Sequence, residues 1–139
     1  MSFALVPIVP SRPVFNAPAL RSAINLATDN IADGIKTDLE AQTDNWNAPP
    51  KWVVVTAGDR RDIITQDLIY RFQDKGTKAH VIMPKSARRL VFQVPGDTVF
   101  AKKVNHPGTK PKNYTVVTAE AWQAKVASLM QAYIGGAVR

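Results

Sequence analysis

No cysteine occurs in this chain of 139 residues. A disulfide scaffold, a thiolate metal site and a cysteine nucleophile are therefore excluded. Histidine is nearly as scarce, with His80 and His106 alone. Closed zinc sites take about four N or S ligands, so no metal site is expected. No apolar run approaches the ~18 residues of a transmembrane helix. The opening stretch MSFALVPIVPSRP carries no basic leader region, and Pro7 and Pro10 interrupt its apolar residues. It does not read as a secretory signal. Walker A, GxGxxG, GxSxG, HExxH and DxDxDG patterns are all missing. With them go the common phosphate-cradle, dinucleotide, serine-hydrolase, zinc-protease and calcium-loop chemistries. Neither an enzyme nor a cofactor is expected, and a small enzyme with dispersed catalytic residues stays only as the third reading.

Acids are also scarce in one region. Between Lys75 and Lys112 stand nine Lys or Arg against the single acid Asp97, a local balance of +8 in a chain of net +7. Charge focused on part of a small folded body points to a polyanion or an acidic partner. Phe72, Phe92, Phe100 and Tyr114 lie among these bases, as stacking platforms would. No RNP, KH or zinc-finger pattern accompanies them. A nucleic-acid-binding module that uses charge without reading sequence is the second reading.

At 45% apolar residues the chain can build a core, and its length fits a single domain over 1–139. Residues 1–14, with Pro7, Pro10 and Pro13, read as an extended arm that packs either on its own domain or on a neighbour. A long helix is expected over 15–44. Asn16 serves as N-cap, Pro18 sits in the first turn, and Leu20, Ala23, Ile24, Ala27, Ile31, Ile35 and Leu39 form one stripe. Gly34 weakens this helix by about 1 kcal/mol relative to Ala. Asp29, Asp33, Lys36, Asp38 and Glu40 read as its solvated face. Short β-branched or alternating runs with close turns fill 51–105, including WVVVTA, DLIYRFQ, HVIMP, RLVFQV and TVFAKKVN. A loop follows over 106–117. A second helix is expected over 118–134, capped by Thr118 with Glu120 in its first turn and stopped by Gly135 and Gly136. Its stripe is Trp122, Val126, Leu129, Met130 and Tyr133, which reads as core. The fold class is α+β: one antiparallel sheet of four to five strands packed against both helices.

Two signatures stand out between these elements. Asp74-Lys75-Gly76-Thr77 leads into His80-Val81-Ile82-Met83-Pro84-Lys85, and Lys103-Val104-Asn105 precedes His106-Pro107-Gly108-Thr109. Together, over Tyr70 to Tyr114, they resemble a segment of the tail-completion or neck proteins of tailed bacteriophages, also described as minor tail or head–tail joining proteins. The order of elements is that of the family. The chain departs from it after the first helix, where WNAPPKWVVVTAGDRRDII stands in place of a Pro-x-Asp-Thr-Gly-like stretch.

The resemblance implies a non-enzymatic structural virion protein, made in the host cytoplasm and assembled at the neck. It implies a homo-oligomeric ring, a hexamer, between the connector or stopper and the tail terminator or tube. DNA would cross its lumen without sequence recognition, and no membrane is involved. On this reading Lys75, Lys78, Lys85, Arg88, Arg89, Lys102 and Lys103 contact the DNA or an acidic neighbouring ring. His106, Pro107, Gly108 and Thr109 form a turn that shapes a subunit contact.

Overall fold

A computed structural model describes residues 16–137. The expected arm over 1–14 lies outside the described residues. The order of elements is α1 (Ala17–Ala41), β1 (Val53–Ala57), β2 (Arg60–Ile64), α2 (Leu68–Lys75), β3 (His80–Ile82), β4 (Leu90–Val94), β5 (Asp97–Ala101), β6 (Val104–His106) and α3 (Tyr114–Ala137). The class is α+β. The single sheet of four to five strands does not form. The described strands instead make three separate antiparallel ribbons of two strands each: β1–β2, β3–β6 and β4–β5.

The first helix follows its sequence pattern. Asn16 caps it by accepting from the Ala19 amide, and the stripe residues Ala27, Ile31 and Leu39 are buried. Its partner is α3, whose stripe lies half-buried along it. Gly34 proves to be a packing residue rather than a defect. A Cβ there would stand 2.7 Å from Cζ2 of Trp122, closer than packed atoms tolerate. The indole crosses α1 at this gap and donates its N–H to Asp38 at 2.7 Å. Two more side-chain bonds tie the pair, from Gln42 to the Thr118 hydroxyl at 2.7 Å and from Asn30 to the Tyr133 hydroxyl.

The β1–β2 hairpin packs on α1. Arg61 holds it there, with its guanidinium donating to Asp29 of α1 and to the carbonyl of Gly58. The hydrogen bond to Asp29 raises the Arg61 pKa further, against the opposing effect of burial. Asp29 is thus a tether rather than part of a free solvated face. Arg60 pairs locally with Asp62 at 2.8 Å.

DLIYRFQ is helical rather than extended. Asp67 caps α2 by accepting from the Tyr70 amide at 2.7 Å, and Gly76 ends it in the left-handed region at φ 72°. Helical spacing then places Tyr70 and Asp74 on one inward face, 3% and 2% exposed. Tyr70 sits against Trp52 edge-on at 4.9 Å and against Tyr114 at 5.8 Å. With Leu39, Trp52 and Tyr70 form the core cluster between α1, β1 and α2. Each such side chain contributes about 2–3 kcal/mol through burial.

The second long helix begins earlier than expected, at Tyr114, and runs through Gly135 and Gly136. Thr118 is buried inside it and is not its cap. The cap comes from another element. The Asp74 carboxylate accepts from the Thr115 amide at 3.0 Å and from the Thr115 hydroxyl at 2.7 Å. An acid is favoured at a helix N-terminus, where free amides and the helix dipole converge.

Candidate interaction surface

The two sequence signatures meet in space. Thr77 and Thr109 form a β-bridge, with Thr77 N–H donating to Thr109 C=O at 2.9 Å and the reverse bond at 3.1 Å. Beyond it β3 and β6 pair His80 with His106, Val81 with Asn105 and Ile82 with Val104. The glycines make the bridge possible. A Cβ on Gly76 would stand 2.5 Å from Thr109 O, and one on Gly108 would stand 2.9 Å from the Lys78 carbonyl carbon. Both have positive φ, 72° and 90°, which glycine adopts without a Cβ penalty. Just behind the bridge, Lys112 N–H donates to Gln73 C=O at 2.9 Å and Asn113 N–H to Asp74 C=O at 3.1 Å. The HPGT turn is thus built against the DKGT turn of its own chain, and Pro107 is the member left exposed.

Asp74 anchors this junction. Burial pushes its carboxyl pKa up, but the two Thr115 hydrogen bonds and the Lys75 ammonium, 3.3 Å away, outweigh burial and hold it below the usual value of 3.8. Burial raises the Tyr70 phenol, and the Asp74 charge adds to the effect.

Between β3 and β6 the chain makes a second excursion, the β4–β5 hairpin. Pro95 and Gly96 occupy its two turn positions, Gly96 at φ 85°. Its register pairs Val91 with Phe100, Phe92 with Val99 and Val94 with Asp97. It packs on no helix of the described residues to any extent. One face is only half-exposed, with Leu90, Phe92 and Ala101. The other carries the cross-strand pair Val91 and Phe100 in the open, 58% and 59% exposed. Phe100 is one of the aromatics expected as a stacking platform, and Val91 joins it only through the register that the Pro95-Gly96 turn sets.

The seven cations expected at a site divide into groups. Antiparallel pairing of Leu90 with Ala101 brings Arg88 and Arg89 alongside Lys102 and Lys103 at the base of the hairpin. Lys85 lies on the same connection, between β3 and β4. Lys75 and Lys78 stand apart, beside the Thr77–Thr109 bridge. Five residues of ribbon, about 17 Å at strand rise, separate that bridge from the Ile82–Val104 pair. All seven are exposed, and among the described residues only Lys75 has a carboxylate within 4 Å.

The two histidine rings lie 5.0 Å apart. Nδ1 of His106 accepts from the Gly108 amide at 3.0 Å, while Nδ1 of His80 donates to Lys78 C=O at 2.8 Å. They flank a groove of about 520 Å³ floored by Ile69 and Phe72 of α2. Phe72 is half-exposed there, whereas Tyr114 is partly buried and stacks on Tyr70 of the core.

Among the described residues no three His, Asp or Glu side chains converge as a metal site would require, and no helix is long and apolar enough to cross a membrane. The arrangement offers charge, exposed apolar side chains and unpaired ribbon edges, each a means of binding. No protein-family model matches the chain, and no curated protein or solved structure matches it either.

Proposed function

We propose that the chain is a structural subunit of a tailed-phage neck, a tail-completion protein that joins head connector to tail as a hexameric ring around the DNA channel. The observation that carries the proposal is apolar surface left in water on two separate faces of the described residues: Val91 and Phe100 on the β4–β5 hairpin, and Val53, Val55 and Ile64 on β1–β2, all between 41% and 59% exposed. Adjoining apolar side chains left exposed mark surfaces that a partner covers. A ring subunit has two neighbours and buries two such faces.

Two further points support the reading. The cations at the hairpin base carry charge without any base-reading motif, which suits DNA that passes rather than DNA that is read. The paired signatures build one ribbon and its foot, so they mark a shared scaffold and not a reactive site.

The test is reconstruction by electron microscopy of the chain assembled with portal-side connector and tail-tube proteins. A ring with an open, cation-lined lumen is expected. A chain that joins no ring with these partners overturns the proposal. The exposed Phe100 beside four cations favours one other reading, a nucleic-acid-binding module of no sequence preference. Tight binding of free duplex or single strands by the isolated chain, with a steep salt slope, would establish it in place of the ring.

A further inference from the structure

Among the exposed apolar patches of the described residues, two have unlike charge around them. The first is the Val91–Phe100 face of the β4–β5 hairpin, with Arg89 and Lys102 next along the strands. The second is on the body. The outward face of β1–β2 exposes Val53, Val55 and Ile64, with Val53 and Ile64 directly paired across the strands. It continues into a groove of about 880 Å³ walled by Pro49, Trp52 and Val53, with Glu40 and Asp44 at its rim. Asp44 has no cation within 4 Å among the described residues, and Glu40 has only Lys36, at 3.7 Å. Lys51 also lines the groove, so its rim carries two acids against one base.

Among the described residues of its own chain, neither patch finds cover. An isolated two-stranded hairpin is at best marginally stable in water, because one ribbon cannot bury its apolar side chains. Adjoining exposed apolar residues rimmed by charge mark a binding surface. The patches differ in position and in the sign of their charge, so one copy presents what another lacks. Two identical hairpin faces would instead oppose Arg89 and Lys102 to their own copies, which like charge disfavours.

We infer that the occupant of the Pro49–Trp52–Val53 groove is the β4–β5 hairpin of a second copy of this chain. Phe100 and Val91 enter against Val53, while Arg89 and Lys102 meet Glu40 and Asp44. A contact between two different patches of one chain is heterologous and propagates head to tail, closing as a ring when the rotation per step permits. The inference deepens the ring reading and rests on it for its context, since it names the surfaces through which the subunits join.

The absence of cysteine from the chain makes the test direct. Thr98→Cys places a thiol on the Phe100 side of the hairpin, and Ala48→Cys places one in the groove. Each protein is oxidised alone and, in a separate reaction, as a mixture of the two, at about 1 mM each, where a contact with Kd below about 0.5 mM is at least half formed. The expected result is a covalent dimer from the mixture and little from either variant alone. Thr98→Cys/Ala48→Cys in one chain should give a ladder. Lys102→Glu with Arg89→Glu in the hairpin partner should lower the mixed yield at least 10-fold. Glu40→Lys with Asp44→Lys in the groove partner should restore it. Failure of the mixed cross-link, or a dominant homodimer from Thr98→Cys alone, overturns the docking. Rings assembled with neck partners but lacking this cross-link would remove the docking and leave the neck reading standing. The cross-link in a chain that joins no neck partner would do the reverse.

Discussion

The α1–α3 body and the β4–β5 hairpin follow opposite rules of construction. In the body, contacts are redundant. Trp122 fills the gap over Gly34 and also bonds Asp38, Arg61 ties β2 to α1, and Tyr70 touches Trp52 and Tyr114. In the hairpin, among the described residues, five cross-strand pairs and a Pro-Gly turn are the main support. The difference shows where each kind of residue acts. Apolar side chains in the body stabilise the fold. In the hairpin Val91 and Phe100 stay in the open.

Substitutions can break this contrast at graded strength. Tyr70→Ala should be the most damaging, lowering unfolding free energy in urea by about 4 kcal/mol, the usual cost of deleting a core aromatic. A loss below about 1 kcal/mol would mean that the aromatic cluster is not the core. Gly108→Ala should cost about 3 kcal/mol, because strain at positive φ adds to a collision with Thr77 and Lys78. Its signature is faster hydrogen exchange at the Thr77 and Thr109 amides. Gly96→Ala, at similar φ but with nothing near its Cβ, should cost about 1 kcal/mol.

Asp74→Asn should cost about 2 kcal/mol near neutral pH, since it removes charge-assisted bonds at the start of α3. The folded-state pKa of Asp74 lies below its unfolded value. Its stabilisation is therefore complete above about pH 5 and is lost as pH falls through the lowered pKa. Urea titrations of both proteins should converge toward pH 2–3, and curves that stay parallel would show that the carboxylate is not the source. Phe100→Ser should change the stability of dilute monomer least, within about 0.5 kcal/mol. A large loss in the monomer would show that the hairpin is core after all.

Both long helices were legible because their stripes run for several turns, and Asn16 announces the first. Short elements were not. Leu68, Tyr70 and Phe72 alternate as a strand would, and only the caps Asp67 and Gly76 betray a helix of eight residues. Ribbons of three to five residues state that they are extended but not whom they pair with, so one sheet and three ribbons look alike in sequence. Gly135 and Gly136 read as a stop, yet α3 continues through them, since helix propensity is a weak prior where context differs. Thr118 had the chemistry of a cap, but Asp74, forty-one positions from Thr115, took the role. A contact at that separation has no local signature. The cations were evident from composition. Their division between hairpin base and ribbon foot needed the register, as did the Val91–Phe100 pair.

The Thr77–Thr109 bridge has a consequence for how such a chain can vary. It brings the outgoing and returning strands to one strand spacing, about 4.8 Å, and fixes them there with two reciprocal bonds. Everything between is an excursion whose ends are already closed, so lengthening it adds only slowly to loop entropy, roughly 0.6 kcal/mol per doubling. Residues 78–107, short of Gly108, can thus be exchanged as a cassette. A longer or shorter arm, or one with another tip, would change the surface the chain presents while Tyr70, Asp74 and the paired helices keep their places.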